Sequence, residues 1–147
     1  MFKQLFFEDV KIGINLPVLK KKVSSQQLVM YAGASGDYYQ IHYDQDYAKS
    51  NDLPGIIING ALKNAFLGQL ITDWIGDNGD LLELSVQYRG MDVPEDELTV
   101  TGIVTDIKID SSKHNTIYCD IWIQNSSGKK STLGKAIVSL PYKVITK

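Results

Sequence analysis

Residues 61–75 read ALKNAFLGQLITDWI. On a 3.6-residue wheel Leu62, Phe66, Leu67, Leu70, Ile71, Trp74 and Ile75 cover more than half of the circumference, which predicts a helix that is buried rather than laid on a surface. Ala61, Ala65, Gly68 and Thr72 fall on the remaining face at three- and four-residue steps, so a second layer is expected to approach the backbone there. The polar exceptions sit mostly near the ends, Lys63 and Asn64 in the first turn and Asp73 in the last, and no charge interrupts the middle. A membrane span needs ~20 apolar residues. The stretch is therefore a core helix that the rest of the chain should wrap.

Working outward, the 147 residues fit a single domain over 1–147, since one core commonly serves about 100–200 residues. A net charge of −2 gives no handle for nucleic acid or an anionic membrane. The lone Cys119 excludes an intrachain disulfide, reads as a small buried strand residue and fits a reducing compartment. The opening MFKQLFFEDVKIG lacks the apolar core and cleavage site of a secretory signal, so a cytoplasmic location is expected.

Before the central helix, Phe2 to Lys22 reads as an extended lead-in with a turn at Ile12 to Asn15. Ser24 or Ser25 can cap a helix carrying Leu28, Val29 and Ala32 up to Gly33. The turn-rich SGDYYQIH, Ser35 to His42, follows, and Asp44 is placed to cap a short second helix, DQDYAKS. After the central helix the period changes to two. Leu82, Leu84, Val86 and Tyr88 alternate with Glu83, Ser85, Gln87 and Arg89, giving a strand with one buried face. Leu98 to Ile109 forms a strand that switches its buried face, expected at Gly102. DSSKHN makes a hairpin loop; Ile117, Cys119, Ile121 and Ile123 form one apolar face. A last strand runs from Gly134 to Tyr142. Short connections favour strands that are neighbours in sequence. An antiparallel sheet beside one very apolar helix is expected to curl around it, the α+β arrangement called the hot-dog fold. An edge strand and a sheet face left uncovered favour dimerisation.

Function belongs to a site, and the polar residues beside the helix define the candidates. Asp37 and His42 are five residues apart in the turn-rich segment. A carboxylate and an imidazole that converge can polarise one water between them, the carboxylate taking a proton and the imidazole holding or donating another. The same residues also fit an aspartate capping a turn and a hydrogen-bonded surface histidine. Gly60 opens the central helix, where backbone N–H groups lack partners and the dipole is positive; without a side chain there, a ligand carbonyl can approach. A tight Asn59-Gly60 turn explains the glycine equally well. His114 lies in the hairpin loop, and two distant histidines with one cysteine make no metal-ligand pattern. No glycine-rich phosphate loop follows a strand, so no cofactor is expected. Arg89, Lys129, Lys130 and Lys135 could meet anionic phosphates but read as well as a solvated face.

The runs Tyr31-Ala32-Gly33-Ala34-Ser35-Gly36-Asp37, Ile41-His42-Tyr43-Asp44 with Tyr47-Ala48-Lys49, Leu53-Pro54-Gly55 and Asn59-Gly60 resemble the MaoC-like (R)-specific enoyl-CoA hydratases. The resemblance implies a hot-dog fold, usually dimeric, and hydration of a trans-2-enoyl thioester to a (R)-3-hydroxyacyl thioester. It implies that Asp37 and His42 are catalytic and that the N–H of Gly60 binds the thioester carbonyl, with Asn59 and Tyr39 beside the substrate. Coenzyme A or an acyl carrier protein enters only as part of the substrate. The chain departs from the family's Gly-Asp-x-Asn-Pro-x-His at Tyr39 and Gln40, which removes an Asx turn and a rigid proline. It has Asn59-Gly60 for His-Gly, and Pro94-Glu95-Asp96 for a later Pro-Gly-Asp. Tyr39 is thus placed to narrow the pocket, contact a large acyl group or displace Asp37. Those departures leave a second reading open, a non-catalytic or half-site subunit paired with a related hot-dog chain instead of a homodimer. A hot-dog thioesterase shares the thioester-binding geometry but fits the Asp37 and His42 pairing less well.

Overall fold

The computed structural model describes residues 4–144, so Phe2 and Lys3 of the expected lead-in lie outside them. In chain order the elements are β1 (Leu19–Lys22), α1 (Ser25–Ser35), α2 (Gln45–Ser50), α3 (Gly60–Ile75), β2 (Asp80–Tyr88), β3 (Glu97–Ile109), β4 (Asn115–Gln124) and β5 (Lys130–Ser139), with 3-10 turns at Phe7–Asp9 and Gln40–His42. Leu62, Phe66, Leu67, Leu70, Ile71 and Ile75 of α3 are buried. They meet Val100 and Val104 of β3, Ile117, Cys119, Ile121 and Ile123 of β4, and Ala136 and Val138 of β5 in one core. Each large apolar side chain so buried contributes roughly 1.5–3 kcal/mol. The sheet curls around α3 in the hot-dog arrangement, and burial pushes the Cys119 thiol up to about 12.

The expected close approach on the small-residue face of α3 is made in part within the chain. A Cβ at Gly68 would lie 3.8 Å from the Leu84 side chain of β2, whereas Ala61, Ala65 and Thr72 are exposed. The first turn holds a surprise of the opposite kind, because Lys63 is buried.

Sequence neighbours are not sheet neighbours throughout. The sheet is antiparallel with order β1-β3-β4-β5-β2, so β2 pairs with β5 and not with β3. The chain between Tyr88 and Glu97 crosses from one edge to the far side, long enough to escape the short-connection rule. The register of β2 shifts between Leu81 and Glu83. Leu81 therefore packs against the core while Leu82 is exposed, a reversal of simple alternation. In β3 the face switches between Val104 and Asp106, not at Gly102. Gly102 answers a different demand: a Cβ there would sit 2.5 Å from the Asp120 carbonyl oxygen. The last strand begins at Lys130, ahead of the expected Gly134.

Local capping chemistry sets the segment before α3. The Ser24 hydroxyl accepts from the Gln27 N–H, and α1 runs past Gly33 to Ser35. Leu28 and Ala32 face inward, whereas Val29 is exposed. Asp44 caps α2 by accepting from the Tyr47 N–H at 2.9 Å. Among the described residues no helix is long and apolar enough to cross a membrane.

Candidate active site

Gly36, with φ 74°, ends α1 in the left-handed conformation and turns the chain toward the start of α3. The Ser35 hydroxyl donates to the Tyr31 carbonyl at 2.7 Å and accepts the Asp37 N–H at 3.2 Å. Asp37 Oδ1 in turn accepts the Tyr39 N–H at 3.3 Å. An Asx turn therefore survives the loss of the family's asparagine, because Asp37 itself supplies it. The 3-10 turn Gln40–His42 then rotates His42 inward until it is 7% exposed.

There the imidazole is held from behind. His42 Nδ1 lies 2.8 Å from the Ile57 carbonyl oxygen. A carbonyl only accepts, so Nδ1 carries the hydrogen and Nε2 is the nitrogen that faces Asp37. Nε2 is 3.7 Å from Asp37 Oδ2, too far for a direct hydrogen bond and close enough for both to engage one small polar group. The Tyr39 ring stands edge-on to His42 and to Tyr47, with centroids 6.1 and 6.2 Å away. The ring thus flanks the imidazole, and Asp37 keeps its place beside it.

Asn59 is fully buried and donates from Nδ2 to Asp37 Oδ2 at 2.7 Å. Its Oδ1 is buried without a partner. Such an atom costs roughly 1–3 kcal/mol, and this orientation is the one an accepting Asp37 oxygen demands. The amide of Asn59, a residue expected beside the substrate, braces the carboxylate.

Gly60 begins α3, and its N–H has no intrahelical carbonyl to bond. Its φ is not positive, so turn geometry does not explain the glycine. Crowding does: a Cβ at this position would lie 3.0 Å from Cζ of Tyr88. The Tyr88 ring thus stands beside Gly60, and partial desolvation together with nearby Tyr31 raises its phenol above the usual value.

Asp37, His42, Asn59 and Gly60 thus converge at one end of α3, with Tyr39 alongside. The other candidates lie elsewhere. His114 is exposed in its hairpin and paired with Asp110 at 3.3 Å. Lys130 and Lys135 line a cavity of about 450 Å³ with Gln87, Trp122 and Leu133, which contains none of the four converging residues. Arg89 donates to Gln87. The Ile57 carbonyl that orients His42 was missed from the sequence, since a main-chain acceptor leaves no mark on residue identity. Among the described residues no group of three or more His, Cys, Asp or Glu could hold a metal ion.

With this geometry in hand, the chain can be set beside known proteins. A family model described as MaoC like domain matches residues 13–125. The (R)-specific enoyl-CoA hydratase of Rhodospirillum rubrum is 26% identical over 141 residues, 92% of each chain. Fatty acid synthase subunit beta of Aspergillus oryzae is 35% identical over 74 residues, 48% of this chain, and the match spans only 4% of that much longer protein. Among solved structures, a MaoC-like dehydratase from Rhodospirillum rubrum superposes with TM-score 0.84 at 20% identity, covering 96% of this chain and 99% of that one.

Proposed function

The chain belongs to the MaoC-like domain family, and from that premise we propose that it is a hydro-lyase interconverting a trans-2-enoyl thioester and a (R)-3-hydroxyacyl thioester. The observation that carries the reading is the 3.7 Å approach of His42 Nε2 to Asp37 Oδ2 beside the first residue of α3. A water between them donates one hydrogen bond to the carboxylate and one to Nε2. As the water oxygen bonds to C3, Asp37 takes a proton from it, and the electrons of the C2–C3 double bond move onto the thioester oxygen. The Gly60 N–H, at the positive end of the helix dipole, stabilises that developing charge. His42 Nε2 orients the water through its other hydrogen, which stays on the new hydroxyl; the proton taken up by Asp37 passes to C2, and the carbonyl re-forms. The substrate is an acyl thioester of coenzyme A or an acyl carrier protein, with no further cofactor.

The test is spectroscopic. On adding the pure protein, the absorbance of a conjugated enoyl-CoA is expected to fall; an unchanged absorbance over long incubation with folded protein would overturn the reading.

A second reading is a half-site subunit that works only with a related hot-dog chain. It is favoured by the openness of the site, where the Asp37 side chain is 42% exposed, and by the uncovered Ala61, Ala65 and Thr72 face of α3. A homodimer would cover the same surfaces. An inactive pure chain that gains hydratase activity when mixed with such a partner supports the heteromer.

A further inference from the structure

Lys63 and Asp92 play no part in the chemistry above, yet each is 2% exposed. Lys63 Nζ donates to Asp92 Oδ2 at 3.0 Å and to the Gly90 carbonyl at 2.9 Å. Ser131 of β5 donates its hydroxyl to the same Asp92 oxygen at 2.5 Å. The main-chain carbonyl of Asp92 accepts the Ile58 N–H at 2.8 Å. Asp92 thus grips the chain two residues before Gly60 through its backbone and three residues after it through its side chain.

Those grips bracket Asn59 and Gly60 and adjoin Ile57. The Ile57 carbonyl orients His42, the Asn59 amide braces Asp37, and Gly60 offers its N–H. Residues 57–60 are a common mount for all three groups. Burying a lysine against an aspartate is rarely the most stable way to fill a core, since an apolar pair of similar volume often does as well or better. Lysine in the first turn of a helix also opposes the dipole.

We propose that Lys63, Asp92 and Ser131 are positioning residues that fix residues 57–60 against β5, and so set the placement of His42, Asp37 and the Gly60 N–H. The catalytic consequence rests on the hydratase reading; the positioning itself does not. A displacement of about 1 Å at such a mount can cost about 10²-fold in rate.

The experiment compares Lys63→Met and Ser131→Ala with the unaltered chain by proton NMR and by enoyl-CoA hydration. Ser131→Ala keeps the ion pair and removes one hydrogen bond, so it reports even where Lys63→Met does not fold. In the folded variants the Nδ1–H resonance of His42 is expected to shift and to exchange faster, while His114 stays unchanged as internal reference. The kcat is expected to fall, by about 10²-fold in Lys63→Met and less in Ser131→Ala, with KM little altered. An unmoved His42 resonance, or an unchanged kcat with only a lower melting temperature, would overturn the proposal. Should His42 respond as expected in a chain that hydrates no enoyl thioester, the mount stands and the hydratase reading fails. Should an active chain leave His42 unmoved, the reverse holds.

Discussion

Two aspartates meet basic side chains at the same end of α3, and the two pairs are built in opposite ways. Lys63 and Asp92 are 3.0 Å apart with side chains 3% and 0% exposed. His42 and Asp37 are 3.7 Å apart with side chains 9% and 42% exposed. The closed pair is held by Ser131 and the Gly90 carbonyl and shut away from solvent. The open pair leaves a gap that a reacting group can enter. Closure suits a mount and openness suits proton transfer. A third pair, Asp110 and His114, matches the residue types of the open one and is shorter at 3.3 Å, yet it sits in a solvated hairpin away from any helix start. Residue identity and distance alone do not make a site.

Substitutions can break this contrast. The largest effect is expected from Asp37→Asn, which should lower turnover by about 10²–10⁴-fold while leaving the melting temperature nearly unchanged; steady-state kinetics beside calorimetry measure both. Lys63→Met should show the converse emphasis in stability, a loss of about 3–5 kcal/mol by denaturant titration, because it strands a buried carboxylate. Gly60→Ala sets a methyl 3.0 Å from the Tyr88 ring, and kcat is expected to fall by up to ~10²-fold; adding Tyr88→Ala should relieve the crowding and restore part of the rate. The smallest effect belongs to the solvated pair. Asp110→Asn should leave turnover at the wild-type level.

The acidity of Asp110 sharpens the same comparison. Its carboxyl is held below the usual value, chiefly by the His114 backbone N–H and further by Ser112 and the His114 ring. Its folded-state pKa is depressed, so what it adds to the hairpin is present above the ordinary carboxylate value and is lost as pH falls through the lowered one. Titration followed by NMR should loosen residues 110–114 at acid pH without reporting on the site at α3.

Much of this was readable from residue order. The apolar wheel of residues 61–75 announces a core helix, Asp44 at the head of DQDYAKS announces a cap, and Asp37, His42 and Gly60 stand out as chemistry beside a helix start. What escaped reading has physical reasons. The pairing of β2 with β5 depends on where residues 89–96 carry the chain, and loop paths leave no periodic trace. The bulge at Leu82 inverts alternation after a single residue. Lys63 reads only as a polar exception in the first turn, because its partners, Asp92 and Ser131, lie far along the chain. Asn59 could be located but not oriented, since only the folded segment turns its amide onto Asp37.

The central claim is that an aspartate and an imidazole at the start of α3 add water to an enoyl thioester. It is tested most directly by incubating a trans-2-enoyl-CoA with the protein in heavy-oxygen water and analysing the product by chiral chromatography and mass spectrometry. The heavy oxygen is expected on C3 of a (R)-3-hydroxyacyl-CoA, and at equal times far less of it when Asp37→Asn replaces the unaltered chain. Label appearing instead in a free carboxylic acid, or appearing at C3 equally with Asp37→Asn, would contradict it.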